Sequence, residues 1–226
     1  MPTAIPKRLF PPICSVLFLL MLFQMGCYLP KRFAPKRKPL PTKMGKIAVV
    51  GFKPAMSIGK KPGIIRSVIS GAVFMAEPVP QRAVNNMTTA LFEKLLKDDG
   101  HDLISPHQVK GVFQSIISSN PSMRDIDVFQ KIGKIFSADA VLVGYLYRWR
   151  ERDGTDYSVN LPASVAFDLY LIGPENKAIL WKGKYDETQK SLSENLFDTN
   201  TFVKGGGKWL TAERLAELAL MDIFGK

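Results

Sequence analysis

Residues 139–149, DAVLVGYLYRW, constrain this chain most, because so continuous a run of β-branched, aromatic and aliphatic side chains reads as a strand. By alternation, Val141, Val143, Tyr145, Tyr147 and Trp149 point to one face, and Leu142, Leu146, Arg148 and Arg150 to the other. A turn at Asp153-Gly154 leads through a polar segment to residues 163–172, ASVAFDLYLI. Gly173-Pro174-Glu175-Asn176 makes the next turn, and residues 178–186, AILWKGKYD, return with Ile179, Trp181 and Tyr185 on one face. Three consecutive strands joined by turns predict an antiparallel meander.

The first half alternates strands and helices. Residues 46–52, KIAVVGF, form a short buried strand that ends at Gly51. Residues 53–80 are irregular, with Pro54, Pro62, Pro78 and Pro80 around an apolar run at 63–76 that fits either a helix or a packed loop. A long excursion after a first strand is a common place for a binding surface, and a plain surface loop fits equally well. Residues 81–97 repeat apolar side chains at helical spacing (Val84, Met87, Leu91, Leu95), and Asp99-Gly100 stops that helix. After a short strand at 101–104, Ser105-Pro106-His107-Gln108 has the N-cap, first-turn proline and third-position Gln of a capping box. A third helix is expected over 122–136. A last one is expected over 209–224 with Leu215, Leu218, Ala219 and Ile223 inward. The predicted fold is a single α/β domain: a mixed sheet with a C-terminal antiparallel meander and helices packed on it.

Charge separates this domain from what precedes it. The chain of 226 residues carries a net charge of +11, yet residues 47–226 hold 22 basic and 20 acidic side chains and are nearly neutral. The excess lies in Lys7 and Arg8 and in seven basic residues within 28–46, a segment that also holds Pro30, Pro35, Pro39 and Pro41. Prolines at this density favour an extended spacer, with incidental contact to anionic lipid heads; nucleic-acid binding is not expected, since no fold presents bases with stacking rings. Lys7 and Arg8 precede the eleven-residue apolar run 13–23, the pattern of an export signal that is too short for a spanning helix. Gly26-Cys27 then resembles a bacterial lipobox, which marks Cys27 for lipidation, although Gln24 and Met25 depart from the usual Leu and small residue. Tyr28 in place of Asp after the Cys implies sorting to the outer membrane, facing the periplasm. The alternative is an uncleaved signal anchor in the inner membrane, favoured by the positives just past the apolar run. The expected organisation is a signal at 1–27, a basic proline-rich tether at 28–46 and an α/β domain at 47–226.

Nothing in the domain spells out catalysis. His101 and His107 are the only histidines and do not have the spacing of a helical ligand pair. No cysteine lies beyond Cys27, which removes disulfide and Cys-ligated zinc frameworks from the domain. Asp98-Asp99 and Asp125/Asp127 lack the pattern of a calcium loop, and Gly205-Gly206-Gly207 reads as a hinge better than as an anion seat. The expectation is a non-enzyme without metal or cofactor. Tyr147, Arg148, Trp149 and Arg150 are the candidate partner-binding residues, an aromatic and basic cluster suited to an anionic polymer or a protein; the competing reading is an edge strand guarded by charge.

These motifs together resemble a known family. A Cys-terminated signal, a KIAVVGF strand, a Ser-Pro-capped helix, an Ala-Asp-Ala-Val-Leu-Val-Gly-Tyr strand and an Ile-Leu-Trp-Lys-Gly strand look like the periplasmic lipoproteins related to the curli secretion protein CsgG and to the N-terminal domain of TolB. The resemblance covers residues 46–187. It implies a membrane-anchored module that works through contact with an envelope protein, or, as the alternative, a ring-forming homo-oligomeric subunit of an outer-membrane export complex. The curli channel lines its pore with long amphipathic hairpins, and the proline-broken segment 53–80 is not expected to supply them.

Overall fold

The two most apolar runs of the domain lie side by side. β1 (Lys46–Pro54) pairs in parallel with β5 (Ala140–Arg150), and β5 is the central strand of a five-stranded sheet of order β4 (Asp102–Ile104), β1, β5, β8 (Ser164–Ile172), β9 (Ile179–Thr188). The computed structural model describes residues 40–41, 44–97, 101–190 and 206–224. Residues Arg37–Lys226 form one compact unit. The apolar run, Cys27, the tether up to residue 39, Asp98-Asp99 and Gly205 fall outside the described residues.

β4 (Asp102–Ile104) adds in parallel to β1, while β8 (Ser164–Ile172) and β9 (Ile179–Thr188) follow β5 antiparallel, completing the expected meander. A small hairpin, β6 (Asp153–Gly154) with β7 (Val159–Leu161), fills the polar segment between β5 and β8. The sheet is covered on both faces. On one face Leu142, Leu146, Phe167 and Trp181 pack with α1 (Gln81–Leu96) and α4 (Ala212–Phe224). On the other, Val141, Val143, Tyr145 and Tyr147 pack with α2 (Pro106–Ser119) and α3 (Asp125–Ile135). With apolar partners on both sides, β5 needs no polar face, which is why its sequence reads as a continuous run.

The capping box forms as expected: the Ser105 hydroxyl accepts from the Gln108 backbone N–H, and the Gln108 side chain accepts from the Ser105 N–H. α3 starts three residues later than expected, at Asp125, with no side-chain cap and with Asp125 and Asp127 in its first turn, where they complement the helix dipole.

Residues 63–76 are neither helix nor loop. They form an antiparallel hairpin, β2 (Gly63–Arg66) with β3 (Val73–Ala76), pairing Ile64 with Met75 and Ile65 with Phe74. Gly71, at φ +70°, closes the turn, and the Ser67 N–H donates to the Ala72 carbonyl across it. Each strand has four residues, well short of the roughly nine to eleven that a membrane-spanning β-strand requires.

Strict alternation also fails in β5. Leu146 pairs with Phe167 and Arg148 with Ala166, leaving Tyr147 as the extra residue of a β-bulge. Every side chain beyond it changes face. Trp149 therefore packs with the α1/α4 cluster, and Arg148 and Arg150 turn to the face of the hairpin. A second irregularity between Leu171 and Ile172 separates Ile179 from the buried Trp181 and Tyr185 and leaves it exposed.

Candidate functional site

The bulge positions a polar network beneath the hairpin. The Tyr147 carbonyl accepts from the Glu77 N–H at 2.8 Å and the Leu146 carbonyl from the Ala55 N–H at 2.9 Å, so the excursion begins and ends on adjacent residues of β5. The Phe74 ring stacks on Tyr147. Arg148 donates to the Met75 carbonyl (3.0 Å), to Ser164 Oγ (2.6 Å) and to Asp186 (2.7 Å), and Arg150 reaches Glu77 at 3.4 Å. The candidate residues thus separate by face. Tyr147 and Arg148 are buried and face the hairpin with Arg150, whereas Trp149 lies behind the sheet and donates to Glu151, whose other oxygen accepts from the Ala212 N–H at the start of α4. β5 is central, so the edge-strand reading of its charges is corrected: they hold the hairpin and the β9 register.

Asp168 is the residue that sequence reasoning passed over, although a lone acid inside ASVAFDLYLI was a visible signal. It is only 2% exposed. Tyr147 donates to its Oδ2 at 3.0 Å and Tyr170 at 2.5 Å, while Oδ1 has no partner. The Tyr170 oxygen also lies 2.9 Å from Ser67 Oγ and 2.6 Å from Ser70 Oγ, both in the hairpin turn. Burial pushes the Asp168 carboxyl up, against the hydrogen bonds from Tyr170 and Tyr147 that pull it down. Burial, and then the bond to Asp168, push the Tyr170 phenol up to about 12. Tyr147 rises for the same first reason. The network binds the tip of the hairpin to β5 and β8.

Beside the tip lies a groove of about 620 Å³. Val68 and Ile69 of the hairpin turn, Met123 just before α3, Ile126 in its first turn and Ile179 at the start of β9 supply its apolar lining. Its charges are already paired. Asp127 takes Arg124 at 2.9 Å and Lys177 at 2.7 Å, and these hydrogen bonds, Lys177 first, hold its carboxyl below the ordinary value. Asp125 accepts from Lys53 at 3.0 Å and from the Tyr145 hydroxyl. Lys53 in turn sits over the rings of Phe113, Tyr145 and Phe129, at 5.0, 5.5 and 5.6 Å from their centroids, a cation–π arrangement that fixes the end of β1 against α2 and α3. His101 donates from Nδ1 to the Met44 carbonyl (3.0 Å), and His107 is exposed in the first turn of α2, remote from this groove in the sequence.

Among the described residues, no helix is long and apolar enough to cross a membrane. No protein-family model and no curated protein matches the chain. Solved structures with a similar arrangement include a PelC dodecamer from Paraburkholderia phytofirmans, at 12% identity over 82% of this chain and 90% of that chain, with a TM-score of 0.43. The LpoB C-terminal domain from Escherichia coli is 17% identical over 67% of this chain and 88% of that chain, with a TM-score of 0.38. Lipoprotein GNA1162 from Neisseria meningitidis is 18% identical over 71% and 92%, also at 0.38. Likeness this distant assigns neither a family nor an activity to the chain.

Proposed function

We propose that this protein is an envelope lipoprotein, anchored through Cys27 on the periplasmic side of the outer membrane, that works without catalysis by docking an apolar segment of another envelope protein. The carrying observation is the groove beside α3. The excursion after the first strand and the meander, the two regions from which a contact surface was expected, both line it through Val68, Ile69 and Ile179. Its rim charges are satisfied by one another, so the interaction left over is burial of apolar side chains, worth about 25 cal/mol per Å² removed from water. The hydrogen bonds from Arg148 and the Asp168 network hold the groove's hairpin wall in place before a partner arrives, which lowers the ordering cost of binding. The CsgG- and TolB-type motifs of the sequence agree with a contact module of this kind.

A photo-crosslinking residue at Ile179, introduced into the full chain in its native envelope, should give one discrete heterologous adduct. The same residue at Leu96, an exposed apolar position on α1, should not. An adduct with a second copy of this chain would replace the partner by the homo-oligomeric ring reading. Equal, diffuse labelling at both positions would overturn the docking site.

A further inference from the structure

The hairpin has a second surface, on the side away from the sheet. Pairing of Ile64 with Met75 and of Arg66 with Val73 puts these four side chains on its outer face, while Phe74 and Ala76 point inward to the core. Ile64 is 73% exposed, Met75 51% and Val73 47%. Lys60 and Lys61 lead directly into β2, and residues 55–76 contain these lysines and Arg66 but no acidic side chain. The domain as a whole is almost neutral, so this uninterrupted positive stretch is local.

We infer that the outer face of the β2–β3 hairpin rests on an anionic lipid surface, with Ile64, Val73 and Met75 among the acyl chains and Lys60, Lys61 and Arg66 at the headgroups. Apolar side chains rimmed by cations without an intervening anion are what a charged bilayer interface rewards. A protein partner is a poorer fit: hot spots of protein interfaces are Trp, Tyr and Arg anchors seated in pockets, and this face is a short two-stranded ribbon without an aromatic residue. The reach is sufficient. β1 separates the tether end of the domain from the hairpin end by about 26 Å at 3.3 Å per residue. The thirteen residues between Cys27 and Pro41 can span at most about 43 Å. A domain held at Cys27 can therefore lay its hairpin on the same bilayer. The groove reading stands apart from this, because the groove is lined from the turn side and from α3.

The test is hydrogen exchange of the full chain in vesicles of phosphatidylcholine alone and in vesicles containing phosphatidylglycerol. Amides of residues 60–76 should exchange about tenfold more slowly on the anionic vesicles, and the difference should shrink as salt is raised. The triple variant Lys60→Glu, Lys61→Glu, Arg66→Glu alters exposed side chains only; it should keep its circular dichroism spectrum and lose the added protection. Equal exchange on the two lipids, or protection that survives in the triple variant, overturns the inference. So does protection that appears in detergent and rises with protein concentration, which would mark a second copy on this face. None of these results bears on crosslinking at Ile179, so the two proposals fail separately.

Discussion

The Phe74 ring stacks on Tyr147 with centroids 3.8 Å apart and planes within 7°, joining the hairpin to the bulge of the central strand in one buried contact. The hairpin is otherwise a ribbon of two four-residue strands, too small to be stable alone. Phe74→Ala should therefore cost about 3–5 kcal/mol of global stability in urea, and protease cleavage should concentrate within residues 63–76. A loss under 1 kcal/mol would mean that the ring contact does not hold the hairpin.

Asp168 sets a pH dependence of definite sign. Burial raises its carboxyl above the ordinary 3.8, so the folded chain binds this proton more tightly than the unfolded chain. Its contribution to stability is full below the unfolded value and is lost as pH rises through the folded one. Asp168→Asn does not titrate. The urea midpoint of the variant should gain on that of the original chain from acidic to neutral pH. A difference that stays constant with pH would contradict the assignment.

Gly51 has φ +83°, and a Cβ built there would lie 2.3 Å from Thr88 Cγ2. Thr88 is not free to move, because its hydroxyl accepts from the Phe52 N–H at 2.9 Å and donates to the Val84 carbonyl at 2.8 Å. Gly51→Ala should cost about 2–4 kcal/mol, combining left-handed backbone strain with overpacking. Thermal melting checks it, and a midpoint unchanged by the substitution would show that α1 can give way.

Labelled palmitate should be incorporated into the full chain and be absent from Cys27→Ser. Two or more acyl chains are needed for firm anchoring, so the variant should also leave the outer-membrane fraction. Continued labelling of the variant would exclude lipidation at Cys27 and favour the uncleaved signal anchor.

Much of the fold was legible because burial on two faces writes long apolar runs. The strands β1, β5 and β8, the capped α2 and the meander all follow from that pattern. What was hidden turns on single residues. The bulge at Tyr147 has no composition of its own, yet it moves Trp149 to the α1/α4 face and turns Arg148 and Arg150 toward the hairpin. The hairpin escaped because GIIR and VFMA are short and their apolar residues also suit helical spacing; Ser70-Gly71, a turn dipeptide between them, was the available signal. The groove assembles residues from 68 to 179, and only the sheet order brings them together.

The size of the detergent-solubilised complex, compared between the original chain and Ile179→Glu, decides whether the groove docks a partner. Ile179 is 42% exposed, so the new carboxylate should spare the melting midpoint while placing a charge against an apolar partner. A heterologous complex is expected for the original chain, and its loss, by at least about tenfold in affinity, in the variant. A complex of unchanged size and strength in Ile179→Glu would contradict the groove as the docking site.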